Sequence, residues 1–246
     1  MTRHRALITG GQQGIGLGIA QALHAAGWAV ILTAEQPAAQ AQAALDTLPG
    51  ARYIRHDLVN IGGVAAVLDE AGPITTLVSN AGVPAMQRGD LLEMTAESFD
   101  RCHQINLRGA FFLAQEAARR MLALPPDPYR SMMFVTSVSA QMVSQDRAEY
   151  SMSKAGAAMM VQAFATRLAP HGIGVFDLRP GIISTPMTAP VRDRYDERIT
   201  DGLVPAARWG TPQDIGKVAV PLAQGAFDFA TGAIIPVDGG LSIPRL

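Results

Sequence analysis

The chain has 246 residues with 20 Lys plus Arg, 21 Asp plus Glu and a formal net charge of −1, a balance that argues against an electrostatic nucleic-acid or membrane partner. Its one cysteine, Cys102, excludes an internal disulfide, and no Cys/His cluster has zinc spacing, so no metal site is expected. Hydrophobic residues reach 48%, enough for a sizeable core, yet no apolar run is long enough to span a membrane, and Met1-Thr2-Arg3-His4-Arg5 leads straight into Ala6 without a signal-type segment; a cytoplasmic protein is the default.

Strand-like and helix-like patterns alternate along the chain. A strand over 6–9 precedes a helix over 14–26, with Ile15, Ile19, Ala22 and Leu23 on one face. A strand over 28–33, an Ala/Gln-rich helix over 37–48, a strand over 52–55, a helix over 61–71 and a strand over 74–79 follow. Residues 96–124 read as one long helix, stopped by Pro125-Pro126-Asp127-Pro128. Then come a strand over 131–136, a helix over 147–169, a strand over 173–178, a helix over 211–224 and a strand over 233–237. This alternation predicts right-handed βαβ crossovers: one domain over 1–246, a Rossmann-like, doubly wound parallel sheet of seven strands with helices on both faces. The irregular insert at 185–208 reads as a functional lid rather than a spacer.

The chemistry-bearing stretch is Glu149-Tyr150-Ser151-Met152-Ser153-Lys154. Tyr150 and Lys154 are four apart, which on a helix puts both side chains on one face. A free tyrosine, with a pKa of about 10, is a poor base at neutral pH. An ammonium one turn away favours the phenolate and makes it a usable acid or base for an alcohol or carbonyl oxygen. Ser137, thirteen residues upstream, ends an apolar run and is expected to face the tyrosine across a cleft. Taken alone, Tyr-x-x-x-Lys is short enough to be a chance helix pair.

Thr9-Gly10-Gly11-Gln12-Gln13-Gly14-Ile15-Gly16 follows the first strand and opens the first helix. Glycines at 10, 14 and 16 leave room for a dinucleotide backbone, and the helix start offers free N–H groups to a pyrophosphate. The position is where a doubly wound fold keeps its phosphate site. A tight strand-to-helix turn would need glycine in any case.

Together, T-G-x-x-x-G-I-G at 9–16, S-N-A-G at 79–82, Asn106, Ser137, Tyr150-x-x-x-Lys154 and Pro180-Gly181 occur in one order, and in this the chain resembles the short-chain dehydrogenase/reductase family over essentially its whole length. The resemblance implies a nicotinamide dinucleotide and hydride transfer at C4 of its ring. Tyr150 would donate or accept the proton, Lys154 would assist it and bond the nicotinamide ribose, and Ser137 would hold the substrate oxygen. Asn106 would hold a water extending the proton path, unless it bonds its own backbone. Ser139 and Thr136 flank Ser137, but the spacing to Tyr150 favours Ser137. Gly10, Gln12, Gln13, Gly14, Ile15 and Gly16 would surround the phosphates. Asp57 would accept from the adenine amine with Leu58 packed beside the base, or else cap the helix that begins near Ile61. Asn80, Ala81 and Gly82 would follow the adenine ribose, and Pro180, Gly181, Ile183 and Thr185 would meet the nicotinamide amide. Family members are usually tetramers, so a homotetramer or homodimer is expected. Phe111, Phe112, Met159 and Met160 serve such contacts or the core, with the core the simpler reading.

The acidic residue that grips a ribose 2′-hydroxyl usually ends the second strand. Here Ala34 holds that place and Glu35 follows; no Arg stands where relatives grip a 2′-phosphate, and Gln13 occupies a position at which NADP users often carry Arg. NAD is therefore expected over NADP. The substrate wall is expected to include Met142, Gln145 and Arg147, with the lid; Arg147 and Glu149 either meet a polar substrate or pair with each other on the surface, the latter being the simpler reading. A sugar, polyol or small hydroxy acid suits a wall so rich in charge. The tail half also resembles 3-oxoacyl-carrier-protein reductases, for which Arg119 and Arg120 are the candidate docking cations. A catalytically silent dinucleotide-binding regulator is the non-enzymatic alternative. The five histidines, His4, His24, His56, His103 and His171, are expected at the surface or in packing.

Overall fold

The structure, a computed structural model, describes residues 4–245; the expected lead-in at Met1, Thr2 and Arg3 lies outside the described residues. Seven strands form one parallel sheet in the order β3-β2-β1-β4-β5-β6-β7: β1 (Arg5–Thr9), β2 (Ala29–Ala34), β3 (Arg52–Arg55), β4 (Thr76–Ser79), β5 (Arg130–Val135), β6 (Ile173–Pro180) and β7 (Ile234–Val237). Every residue of β4, β5 and β6 is buried, as expected of a parallel sheet covered on both faces.

Alternate strand residues feed two separate cores. Leu7, Leu77, Met132 and Phe134 pack with α3 (Val64–Ala71), α5 (Ala110–Leu122) and α6 (Ala148–Leu168). Ile8, Val78, Met133 and Val135 point the other way, against α1 (Gly14–Ala25) and α8 (Pro212–Ala223). The doubly wound, Rossmann-like architecture is thus the expected one. Its order reverses between β1 and β4, and a crevice opens there at the carboxyl ends of the strands.

Three segments differ from expectation. The stretch at 37–48 is a 3-10 turn (Ala38–Ala41) followed by a short α2 (Gln42–Asp46), with only the small Ala41 and Ala44 buried along them. The long helix at 96–124 is α4 (Ala96–His103) and α5 joined by a π turn (Gln104–Gly109). That widening falls where Asn106 bonds to Val83 and Ser153, and where a Cβ on Gly109 would lie 2.2 Å from the Leu58 carbonyl oxygen. Both contacts are remote in sequence, so a local pattern does not reveal them. The insert at 185–208 contains a nine-residue helix, α7 (Arg192–Thr200), held by Ile199, its one buried residue. Its remaining positions are charged or polar enough to hide the helical period.

Met160 is in the core and Phe111 packs against it. Phe112 and Met159 instead face outward, at 36% and 69% exposure, which corrects the core reading for those two. No helix among the described residues is long and apolar enough to cross a membrane.

Candidate active site

A cavity of about 620 Å³ runs along the carboxyl ends of the strands on both sides of the β1/β4 reversal. Ser137, Tyr150 and Lys154 line it together. Ser137 leaves β5 as the cap of a 3-10 turn (Val138–Ala140), and its Oγ accepts from the Ser139 N–H at 3.1 Å. Tyr150 and Lys154 come from the first turns of α6, 9% and 6% exposed. The Lys154 ammonium sits 5.8 Å from the Tyr150 ring centre, and its Nζ donates to the Val135 carbonyl at 2.9 Å. The neighbouring hydroxyls are engaged elsewhere: Thr136 bonds to Asp177, and Ser139 Oγ accepts from Arg147.

Asn106 is 3% exposed, but its amide is already spent. Nδ2 donates to the Val83 carbonyl at 3.0 Å and to Ser153 Oγ at 2.9 Å, while Oδ1 accepts from the Val83 N–H at 2.8 Å. Asn106 does not border the cavity. The amide ties α6 and the loop after β4 together behind Lys154. Nor does Asn106 bond its own helix, the other reading.

At the opposite end, Gly10, Gln12, Gln13, Gly14, Ile15, Asp57, Leu58, Asn80, Ala81, Gly82, Pro180, Gly181, Ile183, Thr185 and Glu35 all border the same cavity. The loop after β1 turns through Gly10 and Gly14, at φ +62° and +52°, values that favour glycine. Gly16 does not border the cavity; its missing Cβ would stand 2.3 Å from the Gly10 carbonyl oxygen, so it shapes the loop from behind. Asp57 Oδ1 accepts from the Val59 N–H at 2.9 Å, whereas the cap at Ile61 belongs to Asn60, which disposes of the capping alternative for Asp57. Ile183 forms a bridge to Gly210 that uses the Ser184 N–H and the Ile182 carbonyl, leaving the Ile183 N–H unspent. The Gln12 Oε1 atom is buried without a partner while its Nε2 donates to Gln36 at 2.8 Å. A narrow glycine-floored loop with an unpartnered polar atom, facing Asp57 across the crevice, fits a dinucleotide. His56 is buried beside Asp57, and burial pushes its pKa down against the opposing pull of the Asp57 carboxylate.

The substrate end is walled by Met142 and Arg147 as expected, but Gln145 lies exposed outside the cavity. The reason is Asp146. Its Oδ1 accepts from Ser144 at 2.8 Å, and its Oδ2 takes Arg88 at 3.0 Å and Arg194 of α7 at 3.2 Å, so the turn directs Asp146 inward and Gln145 outward. Burial alone would raise the Asp146 carboxyl; the Ser144 hydroxyl and the two guanidinium groups outweigh it and hold it down at about 2. The expected surface pair of Arg147 with Glu149 is absent. Glu149 is 2% exposed and accepts from Ser98 Oγ at 2.6 Å, while Arg147 lies with its guanidinium carbon 5.0 Å over the Tyr150 ring.

Gln36, the Val135 carbonyl, and Asp146 with Arg88 were not anticipated. Each owes its place to a partner far along the chain, as with Asp146 and Arg194, 48 residues apart, and no local signal marks them.

A family model described as enoyl-(acyl carrier protein) reductase matches residues 10–242. The chain belongs to the short-chain dehydrogenase/reductase family. Like its relatives it is an oxidoreductase acting on CH–OH groups. The crystal structure of a 3-oxoacyl-[acyl-carrier protein] reductase from Brucella melitensis in complex with NAD superposes with a TM-score of 0.95 at 45% identity, covering 100% of both chains. The 3-oxoacyl-[acyl-carrier-protein] reductase MabA of Mycobacterium tuberculosis is 36% identical over 96% of this chain and 92% of its own. Gluconate 5-dehydrogenase of Gluconobacter oxydans is 32% identical over 97% of this chain and 94% of its own. The family's relatives thus span thioester reductases and sugar-acid dehydrogenases.

Proposed function

We propose that this short-chain dehydrogenase/reductase interconverts a secondary alcohol and a ketone on a small polar substrate, a sugar, polyol or hydroxy acid, with NAD preferred over NADP. The observation that carries the reading is the convergence of Ser137, Tyr150 and Lys154 on one cavity wall, with Lys154 pinned to the strand that presents Ser137.

When bound, the nicotinamide supplies the acceptor or donor of hydride. Gly10, Gln12, Gln13, Gly14 and Ile15 hold the phosphates, Asp57 and Leu58 the adenine, Asn80 to Gly82 its ribose, and the free Ile183 N–H with Pro180, Gly181 and Thr185 the amide. Ser137 Oγ bonds the substrate oxygen. In oxidation the Tyr150 oxygen would take the hydroxyl proton of the carbinol, and in reduction it would return a proton to the substrate oxygen. Lys154 holds a positive charge 5.8 Å from the Tyr150 ring centre, and preorganised charge of this kind lowers the barrier because the oxygen's charge changes in the transition state. Asn106, fixed by its amide to Val83 and Ser153, holds a water that extends the proton path past Lys154, and Gly16 shapes the phosphate loop from behind Gly10.

NAD preference rests on Glu35, exposed beside the cavity at the end of β2, whose charge opposes a 2′-phosphate. Arg55 is near, yet its Nε is spent on the Glu35 carbonyl at 2.9 Å and it stands outside the cavity wall. The outward Phe112, Met152 and Met159 support assembly as a homodimer or homotetramer, and the composition supports a cytoplasmic setting.

A second reading, reduction of a 3-oxoacyl thioester on a carrier protein, is favoured by the identities of 45% and 36% to proteins so named. Against it, Arg120 is engaged with Glu116 and Asp69, and Arg119 with Glu116. Steady-state kinetics over sugars, polyols, hydroxy acids and 3-oxoacyl thioesters, with both cofactors, tests the proposal. A higher kcat/KM for thioesters selects the second reading, and a higher kcat/KM with NADPH rejects the cofactor preference.

A further inference from the structure

The two ends of the cavity carry opposite charge. Among the described residues, its acidic lining is Glu35 and Asp57, both at the dinucleotide end. The substrate end presents Arg88, Arg147 and Arg198. Arg88 is neutralised by Asp146 at 3.0 Å, whereas Arg198 sits on the exposed outer wall in α7.

Arg147 is different. Its guanidinium is half-buried against the Tyr150 ring, 5.0 Å from the ring centre. Its Nη2 donates to Ser139 Oγ at 3.2 Å, its Nε is buried with no partner, and its Nη1 bonds no described residue. The two carboxylates beside it in sequence are committed elsewhere: Asp146 to Arg88 and Arg194, Glu149 to Ser98. A half-buried guanidinium with no counter-ion and a buried, unpartnered Nε–H is relieved when an anion arrives. Of the anions a small substrate can bring, a carboxylate matches the planar fork of a guanidinium.

We infer that the substrate carries a free carboxylate within a few bonds of the reacting carbon, and that Arg147 binds it. Placement sets the distance. The cation lies over the ring whose hydroxyl handles the substrate oxygen, so an anion on Arg147 and an oxygen on Tyr150 belong to neighbouring parts of one short molecule. The substrate is a hydroxy acid and its product the oxo acid; an uncharged polyol or a thioester leaves the cation unpaired. The inference rests on the proposed function and narrows it.

The test compares lactate, 3-hydroxybutyrate and gluconate, each beside its neutral amide, with NAD, in the wild-type enzyme and in Arg147→Gln and Arg147→Lys. A charge-assisted bond of the usual strength predicts that the wild type turns over a free acid with kcat/KM at least about tenfold above its amide. Arg147→Gln lowers the acid's kcat/KM about 10²-fold, chiefly through KM, a loss at least tenfold larger than for the amide, and Arg147→Lys recovers part of it. Equal losses for acid and amide overturn the inference, because Arg147 then only positions Tyr150. So does a wild-type enzyme that turns over amides, polyols or thioesters as well as it does acids; that comparison needs no variant to fold. Absence of turnover on every alcohol, ketone and thioester with either cofactor overturns the proposed function itself.

Discussion

Lys154 reaches back to Val135, its Nζ 2.9 Å from the carbonyl oxygen, so the helix bearing the phenol is fastened to the end of the strand that leads to Ser137. The lysine therefore has a mechanical task as well as an electrostatic one. Tyr150→Phe is expected to lower kcat by about 10²–10⁴-fold with nucleotide affinity and unfolding midpoint unchanged. Lys154→Met is expected to lose activity and also about 1–3 kcal/mol of stability, since it strips a buried carbonyl of its donor. Parallel kinetics, NADH fluorescence titration and urea unfolding of the two variants check this; retained turnover in Tyr150→Phe would remove Tyr150 from the proton path.

Gly16 stands where the loop after β1 folds over the helix start. A methyl group there would be 2.3 Å from the Gly10 carbonyl oxygen and 2.6 Å from Asn80 Nδ2, so Gly16→Ala must move the loop. The expected result is at least about a tenfold loss of NADH affinity. The control is Gly62→Ala, where the nearest atom is Asn60 Oδ1 at 3.5 Å, and nothing is expected beyond about 0.5 kcal/mol. Fluorescence titration and thermal unfolding report the two effects.

Asp177 is fully buried, accepting from Thr136 and, at 2.8 Å, from Arg179, which also reaches Gln141 in the turn after Ser137. Removing the cation alone leaves a buried carboxylate unpaired, so Arg179→Met is expected to cost about 3–5 kcal/mol. The double variant Asp177→Asn/Arg179→Met is expected to cost less than Arg179→Met alone. Denaturant melts of the full cycle give the coupling.

Asp146 joins three walls of the substrate mouth, and its depressed carboxyl makes the junction pH-sensitive in a definite direction. With a folded value of about 2 against an unfolded value of about 3.9, its contribution is fully present above pH ~4 and is lost as pH falls through ~2. Because Arg194 is 58% exposed, the contribution is screened to the order of 1 kcal/mol. Asp146→Asn is expected to flatten the acid limb of the stability curve and to raise substrate KM several-fold while leaving NADH affinity unchanged. Unfolding melts from pH 2 to 7 and steady-state kinetics measure both.

The alternation of strand-like and helix-like runs was enough for the seven strands, of which β4, β5 and β6 are buried throughout and the edge strands β3 and β7 are partly exposed. Motif spacing was enough for the walls of the cavity, since glycines 10 and 14, Asn80, Ser137, Tyr150 and Lys154 each leave a local mark. What escaped was long-range. The π turn follows from the contacts of Asn106 and Gly109 with distant loops, the inward turn of Asp146 from Arg88 and Arg194, and the lie of Arg147 over the ring from the commitment of both neighbouring acids. In α7 the charge on nearly every face masked the period that Tyr195 and Ile199 supply.

The reversal of strand order between β1 and β4 divides labour along the crevice. Under the proposed function, the residues assigned to the phosphates and adenosine issue from β1 to β4, whereas those assigned to the carbinol issue from β5, β6 and the segment leading to α7. On that proposal, a chemist wishing to retarget this enzyme would rewrite the far half, Met142, Arg147 and α7, without disturbing the half assigned to the coenzyme's adenosine. Conversely, an exchange at Glu35 is expected to change the redox currency and to leave the choice of alcohol alone.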